Sequence, residues 1–137
     1  MPVRRDRAGI GAAAAYGFEV GMAFQLSDDL VDVTSSAADS GKTPGTDLRE
    51  GVHTLPVLLA LEDDPDGELA ALLAAPLGDG EVDRALALLR AGDAIDRARD
   101  EARLRVRAAI DHLAPFGDRP VATALTRLAE YAVDRIG

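Results

Sequence analysis

The 137-residue sequence has no cysteine and no tryptophan, and its only histidines are His53 and His112. Without cysteine there is no disulfide scaffold, no thiolate nucleophile and no cysteine-ligated zinc or iron–sulfur site. Two histidines leave little material for a histidine-rich metal centre. Positive charge is also in short supply: 15 Lys+Arg stand against 24 Asp+Glu, a net charge of −9. That balance argues against a nucleic-acid-binding domain, because no basic stripe neutralises phosphates. Aromatic residues make up 4% and β-branched runs are scarce, which is poor material for a sheet. No apolar stretch reaches the ~18 uncharged residues that a membrane span requires. The N-terminal MPVRRDRAGIGAAAAYGFEVG has a basic start and then small residues, but Glu19 and the polar run after Gln25 break the signal-peptide pattern. A cytoplasmic location is the expectation.

What remains points to helices. Alanine is about one residue in five, and leucine and arginine are plentiful, all strong helix formers. A first helix is predicted from about Ile10 to about Thr34, roughly 25 residues or ~37 Å long. The stretch SSAADSGKTPGTDLREGVH follows, with a Ser, Gly, Pro and Asp content that predicts no regular element. A second helix is expected to open at Thr54 as N-cap, with Pro56 in its first turn, and to cover PVLLALE. A short helix around Glu68–Ala74, another over EVDRALALLR closed by Gly92, and a longer one opened by Asp93 come next. In the last of these Ile95, Ala98, Ala102, Val106 and Ile110 recur at helical spacing. A final helix starts at Asp118 with Pro120 and runs through VATALTRLAEYAVDRI. The reading is one all-α domain over residues 1–137, a helical bundle.

One segment is chemically unusual: Phe24-Gln25-Leu26-Ser27-Asp28-Asp29-Leu30-Val31-Asp32-Val33. At helical spacing Gln25, Asp28, Asp29 and Asp32 fall within one arc of about 100°. Carboxylates gathered on one face repel each other, and partly burying them costs several kcal/mol unless a cation compensates. Mg2+ suits them, being a hard ion that takes oxygen ligands, keeps several waters and bridges to phosphate oxygens. Asp28 and Asp32 at i, i+4 can face one ion, with Asp29 able to reach a second ion or a bound water. One to two turns earlier, Gly17, Phe18, Gly21 and Met22 continue the strip with small and apolar residues. Either they line a groove for a hydrocarbon tail below a charged head, or Phe18 and Met22 pack against a neighbouring helix.

Lys42 is the only lysine, against 14 arginines, and it sits in the Gly-rich stretch Ser40-Gly41-Lys42-Thr43-Pro44-Gly45-Thr46-Asp47. It is either a compact point charge for phosphate or a chance surface lysine. Elsewhere Asp63-Asp64-Pro65-Asp66-Gly67 reads as a solvated acidic turn. Arg97, Arg99, Arg103, Arg105 and Arg107, interleaved with Asp96, Asp100 and Glu101, read as a salt-bridged exposed helix. No serine has a partnered base, so nucleophilic catalysis finds no support.

The stretch YGFEVGMAFQLSDDLVDV…SGKTPGTDLREGVHTLPVLLALE resembles the second half of a trans-type polyprenyl diphosphate synthase, of the all-helical isoprenoid synthase fold. The motifs that carry the resemblance are Gly21–Gln25, Asp28–Asp32, Gly41–Gly51 and Thr54–Pro56. It implies a second aspartate-rich motif in which Asp28, Asp29 and Asp32 bind Mg2+ bridged to an allylic diphosphate, with Gln25 and Lys42 on the diphosphate. The implied reaction condenses isopentenyl diphosphate with that allylic diphosphate. Asp47 and Glu50 are expected to shape the loop rather than touch ligand. Two departures accompany the resemblance. Val52 stands where a second lysine is often found, and no other DDxxD occurs, because members of the family are more than twice this length. The expectation is therefore a C-terminal half that binds Mg-diphosphate but is inactive alone: truncated, mis-started, or one part of a two-chain enzyme. A homodimer, or a partner supplying the missing half, is implied. The alternatives are a non-catalytic helical partner or regulatory subunit of a full-length synthase, and an acidic helical domain without a ligand.

Overall fold

Helix formers punctuated by Gly and Pro produce a succession of helices in the computed structural model, which describes residues 7–36 and 43–137. The elements are α1 (Arg7–Thr34), α2 (Thr46–Arg49), α3 (Leu55–Asp63), α4 (Glu68–Leu73), α5 (Asp79–Ala91), α6 (Ala94–Asp111), a 3-10 turn (Ala114–Phe116) and α7 (Pro120–Asp134). No strand occurs among the described residues, in line with the all-α expectation. None of these helices is long and apolar enough to cross a membrane. The chain divides into two compact units, one made of residues 1–27 with 101–137 and the other of residues 28–100. Helices α1 and α6 each continue from one unit into the other.

In the first unit, α1 carries glycines at 9, 11, 17 and 21, and each glycine inside a helix weakens it by about 1 kcal/mol relative to alanine. Packing of one face compensates. Tyr16, Val20 and Ala23 at i, i+4, i+7 meet Val106, Ala109 and Leu113 of α6 and its C-terminal turn, and Ala129 and Ala132 of α7. Ala23, Ala109, Ala129 and Ala132 are each 0% exposed, so small side chains sit where the helices meet. Two side-chain hydroxyls reach across to α7: Tyr16 donates to the Leu125 carbonyl at 2.7 Å, and the fully buried Ser27 donates to the Ala132 carbonyl. The Arg105 guanidinium pairs with Glu101 and Glu19, both at 3.2 Å. The salt-bridged reading of that arginine-rich face is therefore correct for Arg105, and on the part of α6 that belongs to the second unit Arg99 adds a pair with Asp96 at 2.7 Å.

The second unit closes over Leu30 and Val33 of α1, Leu48 of α2, Val57 of α3, and Val82, Leu86 and Leu89 of α5, all buried. Each such side chain contributes about 1.5–3 kcal/mol when taken fully out of water. Helices α3, α4 and α5 pack on one another. Arg84 bridges α5 to α4 by a two-pronged bond to Glu68, at 2.6 and 2.7 Å, which holds the Glu68 carboxyl below its ordinary pKa. Arg90 of α5 donates from Nε to the Val33 carbonyl at 2.9 Å, satisfying an acceptor in the last turn of α1. Asp63, Asp64 and Asp66 are exposed, as a solvated turn requires. The expectation of no regular structure between Thr34 and Thr54 fails at α2. Its start is set by a side chain outside the segment, a contact that local composition does not encode.

Candidate metal and diphosphate site

The last two turns of α1 separate into two faces. Leu30 and Val33 are buried on one side, while on the other Asp28 is exposed and Asp29 and Asp32 are half-buried. Gln25, one turn earlier on the same helix, is exposed. The arc expected from helical spacing is thus present, with its apolar back buried and its carboxylate front exposed at Asp28 and half-buried at Asp29 and Asp32.

Asp32 has a defined set of partners. Its Oδ1 accepts the Thr46 amide at 3.1 Å, its Oδ2 accepts the Asp47 amide at 3.1 Å, and its main-chain carbonyl accepts the Gly45 amide at 3.0 Å. The two carboxylate bonds satisfy amides at the start of α2, where the N-cap, Gly45, has no side chain to cap with. Gly45 has φ +81°, in the left-handed region, and a Cβ there would lie 2.6 Å from Val82 Cγ1. Only glycine fits that return without displacing α5. Asp47 lies in the first turn of α2, and its carbonyl accepts the Val52 amide at 2.8 Å. Arg49 pairs with Asp79, at the start of α5. Lys42, the expected phosphate contact, lies outside the described residues.

Earlier on α1, Phe18 is 62% exposed and Met22 is half-buried. A Cβ added at Gly17 or Gly21 would meet nothing within 4 Å. Of the two readings of this strip, the exposure of Phe18 goes against packing on a neighbouring helix for that residue. Thr54 is the N-cap of α3 as expected, yet it makes no side-chain cap bond, and its buried hydroxyl has no hydrogen-bond partner among the described residues. His53 is exposed and His112 half-buried.

Among the described residues, no group of three or more His, Cys, Asp or Glu side chains converges so as to hold an ion by itself. The donors on this face of α1 are all hard oxygens, which suit a divalent cation such as magnesium or calcium. Magnesium binds through one or two carboxylates plus water and phosphate oxygens, whereas calcium takes six to eight oxygen ligands. The hard oxygen donors of Asp28, Asp29 and Asp32, without nitrogen or sulfur, fit such an ion. A cleft of about 380 Å³ in the second unit, lined by Asp63, Asp64, Glu68, Leu88 and Gly92 among others, includes none of them. Two of its carboxylates are engaged, Asp63 by Arg97 at 2.7 Å and Glu68 by Arg84.

Residues 3–89 match the family model for polyprenyl synthetase. Over 124 residues the chain is 48% identical to the nonaprenyl diphosphate synthase of Mycobacterium tuberculosis, covering 88% of this chain and 37% of that protein. It is 38% identical over 130 residues to a geranylgeranyl diphosphate synthase of the same organism, covering 90% of this chain and 36% of that one. Its fold is similar to the crystal structure of geranylgeranyl pyrophosphate synthase from Corynebacterium glutamicum, complexed with calcium and isoprenyl diphosphate. The TM-score is 0.84 at 38% identity, covering 96% of this chain and 41% of that one. The polyprenyl synthase of Caulobacter crescentus, also complexed with calcium and isoprenyl diphosphate, gives 0.84 at 33% identity, covering 96% and 42%. The chain thus spans well under half the length of these proteins. A family match over residues 3–89 that takes in the whole aspartate arc, on an all-helical fold shared with solved synthases, makes this chain a member of the polyprenyl synthetase family.

Proposed function

We propose that the chain is the metal- and diphosphate-binding part of a prenyltransferase that condenses isopentenyl diphosphate with an allylic diphosphate. The observation that carries this reading is the open carboxylate face of α1, Asp28, Asp29 and Asp32, lying inside the family match. Asp28 and Asp29, with Asp32 as the third carboxylate of the motif, would hold Mg2+. When bound, the ion supplies positive charge against the departing diphosphate. The Gln25 amide, on the same face of α1, donates to diphosphate oxygens, and Lys42 supplies a point charge to them. Phe18, Gly21 and Met22 offer the apolar surface for an isoprenoid tail, and the openness around Gly21 supports this. A divalent ion and an isoprenyl diphosphate in two similar solved synthases support the same assignment.

Condensation itself requires the rest of the fold, because this chain spans 37% of the length of a full synthase. Alone it holds diphosphate without completing the reaction; a partner, or a longer form of the protein, supplies the remainder. The charged diphosphate substrates of this reading support a cytoplasmic location.

Thermal unfolding with Mg2+ and an isoprenyl diphosphate tests the site directly. Ligand at 100 times Kd stabilises the chain by about 2.7 kcal/mol, with no stabilisation when either component is omitted. Asp28→Ala abolishes the effect. An unchanged shift in that variant would sink the metal reading.

A further inference from the structure

Three consecutive amides, those of Gly45, Thr46 and Asp47, converge on one residue, Asp32, at 3.0, 3.1 and 3.1 Å. We infer that Asp32 serves the site as a positioning residue that clamps the returning chain at 45–47 onto the end of α1, while Asp28 and Asp29 face the ion. This inference rests on the metal–diphosphate reading and assigns separate tasks within it.

Both carboxylate oxygens of Asp32 already accept a backbone amide, which fixes the plane and direction of the group. An ion drawing on the same oxygens would have to share them with two charge-assisted bonds, and the N-cap, Gly45, has no side chain to take those bonds over. Asp28 stands one turn nearer the N-terminus and is exposed, and Asp29 is half-buried beside it. The returning chain is also held from its other side. Gly45 is buried in a left-handed conformation against Val82 and Leu86, so the segment is seated between α5 and the Asp32 carboxylate. A clamp of this kind needs an acceptor with two oxygens, and it needs the short, rigid side chain of Asp.

The test combines backbone amide exchange at Thr46 and Asp47 with calorimetric binding of Mg2+ and inorganic pyrophosphate. Asp32→Ala is expected to speed exchange at both amides and weaken binding about tenfold, the usual loss when a supporting residue of a metal site is removed. Asp32→Asn keeps one acceptor oxygen and turns an NH2 donor toward the other amide, so it is expected to keep one of the two amides protected and to recover part of the binding. Asp28→Asn is expected to abolish binding and leave exchange at 46 and 47 unchanged. If Asp32→Asn binds as poorly as Asp28→Asn while exchange stays slow, Asp32 is a direct ligand and the inference is wrong. Unchanged exchange in Asp32→Ala overturns the clamp alone. Absence of pyrophosphate binding by the unsubstituted chain overturns the metal reading instead.

Discussion

The Tyr16 hydroxyl donates to the Leu125 carbonyl at 2.7 Å, joining α1 to α7 across a core of alanines. Burial raises the Tyr16 pKa above its ordinary value. The folded chain therefore keeps the phenolic proton at pH values where the unfolded chain has begun to lose it. The associated stability is fully present below about pH 10, the unfolded value, and is lost as pH rises from there toward the folded pKa. Tyr16→Phe removes the bond at a cost of about 1 kcal/mol near neutral pH. In urea titrations the variant should also lose less stability than the parent between neutral pH and pH ~11. Parallel alkaline losses in the two proteins would contradict this.

Gly45 and Gly51 both have positive φ, at +81° and +74°, but their surroundings differ. A Cβ at Gly45 would lie 2.6 Å from Val82 Cγ1, whereas at Gly51 it meets nothing within 4 Å. Gly51→Ala should cost about 1 kcal/mol, the conformational strain alone. Gly45→Ala adds an overpacking penalty and should cost about 2–4 kcal/mol. Equal midpoints in chemical denaturation of the two variants would show that the contact with Val82 carries no weight.

Arg90 donates to the Val33 carbonyl from Nε and to the Ser35 carbonyl from its second guanidinium nitrogen at 3.4 Å. A cation at a helix C-terminus that also fills orphan acceptors contributes about 1–2 kcal/mol. Arg90→Ala should lose that amount. Arg90→Lys should recover only part, since an ammonium lacks the planar fork. Full recovery by lysine would mean that charge, not the fork, is what matters.

The sequence was most informative where structure is local. The Asp28, Asp29 and Asp32 arc follows from spacing alone, and Thr54, Gly92 and Pro120 mark helix limits through their backbone chemistry. The family resemblance, carried by the segment from Gly21 to Pro56, agrees with the family match. What escaped was tertiary. The helix Thr46–Arg49 owes its start to a carboxylate 14 residues earlier, and no local pattern announces a cap delivered from another element. A Gly-Thr-Asp run after Pro44 was the available signal, but it is equally the signal of a plain turn. The exposure of Phe18 was open for a similar reason, since periodicity names a face without saying what covers it.

The alanines between α1, α6 and α7 have a consequence for how sequence variation is tolerated. Alanine has no rotamers to lose on folding, so Ala23, Ala109, Ala129 and Ala132 order without side-chain entropy cost. It also has almost nothing to give up when trimmed to glycine beyond helix propensity. Enlargement is another matter: at these four sites even a single added methylene pushes two helices apart. Such a core is one-sided, forgiving of loss and intolerant of growth. Drift at these positions should be confined to glycine, serine and alanine, while the larger leucine-lined interior of the second unit admits exchange among aliphatic residues of similar volume.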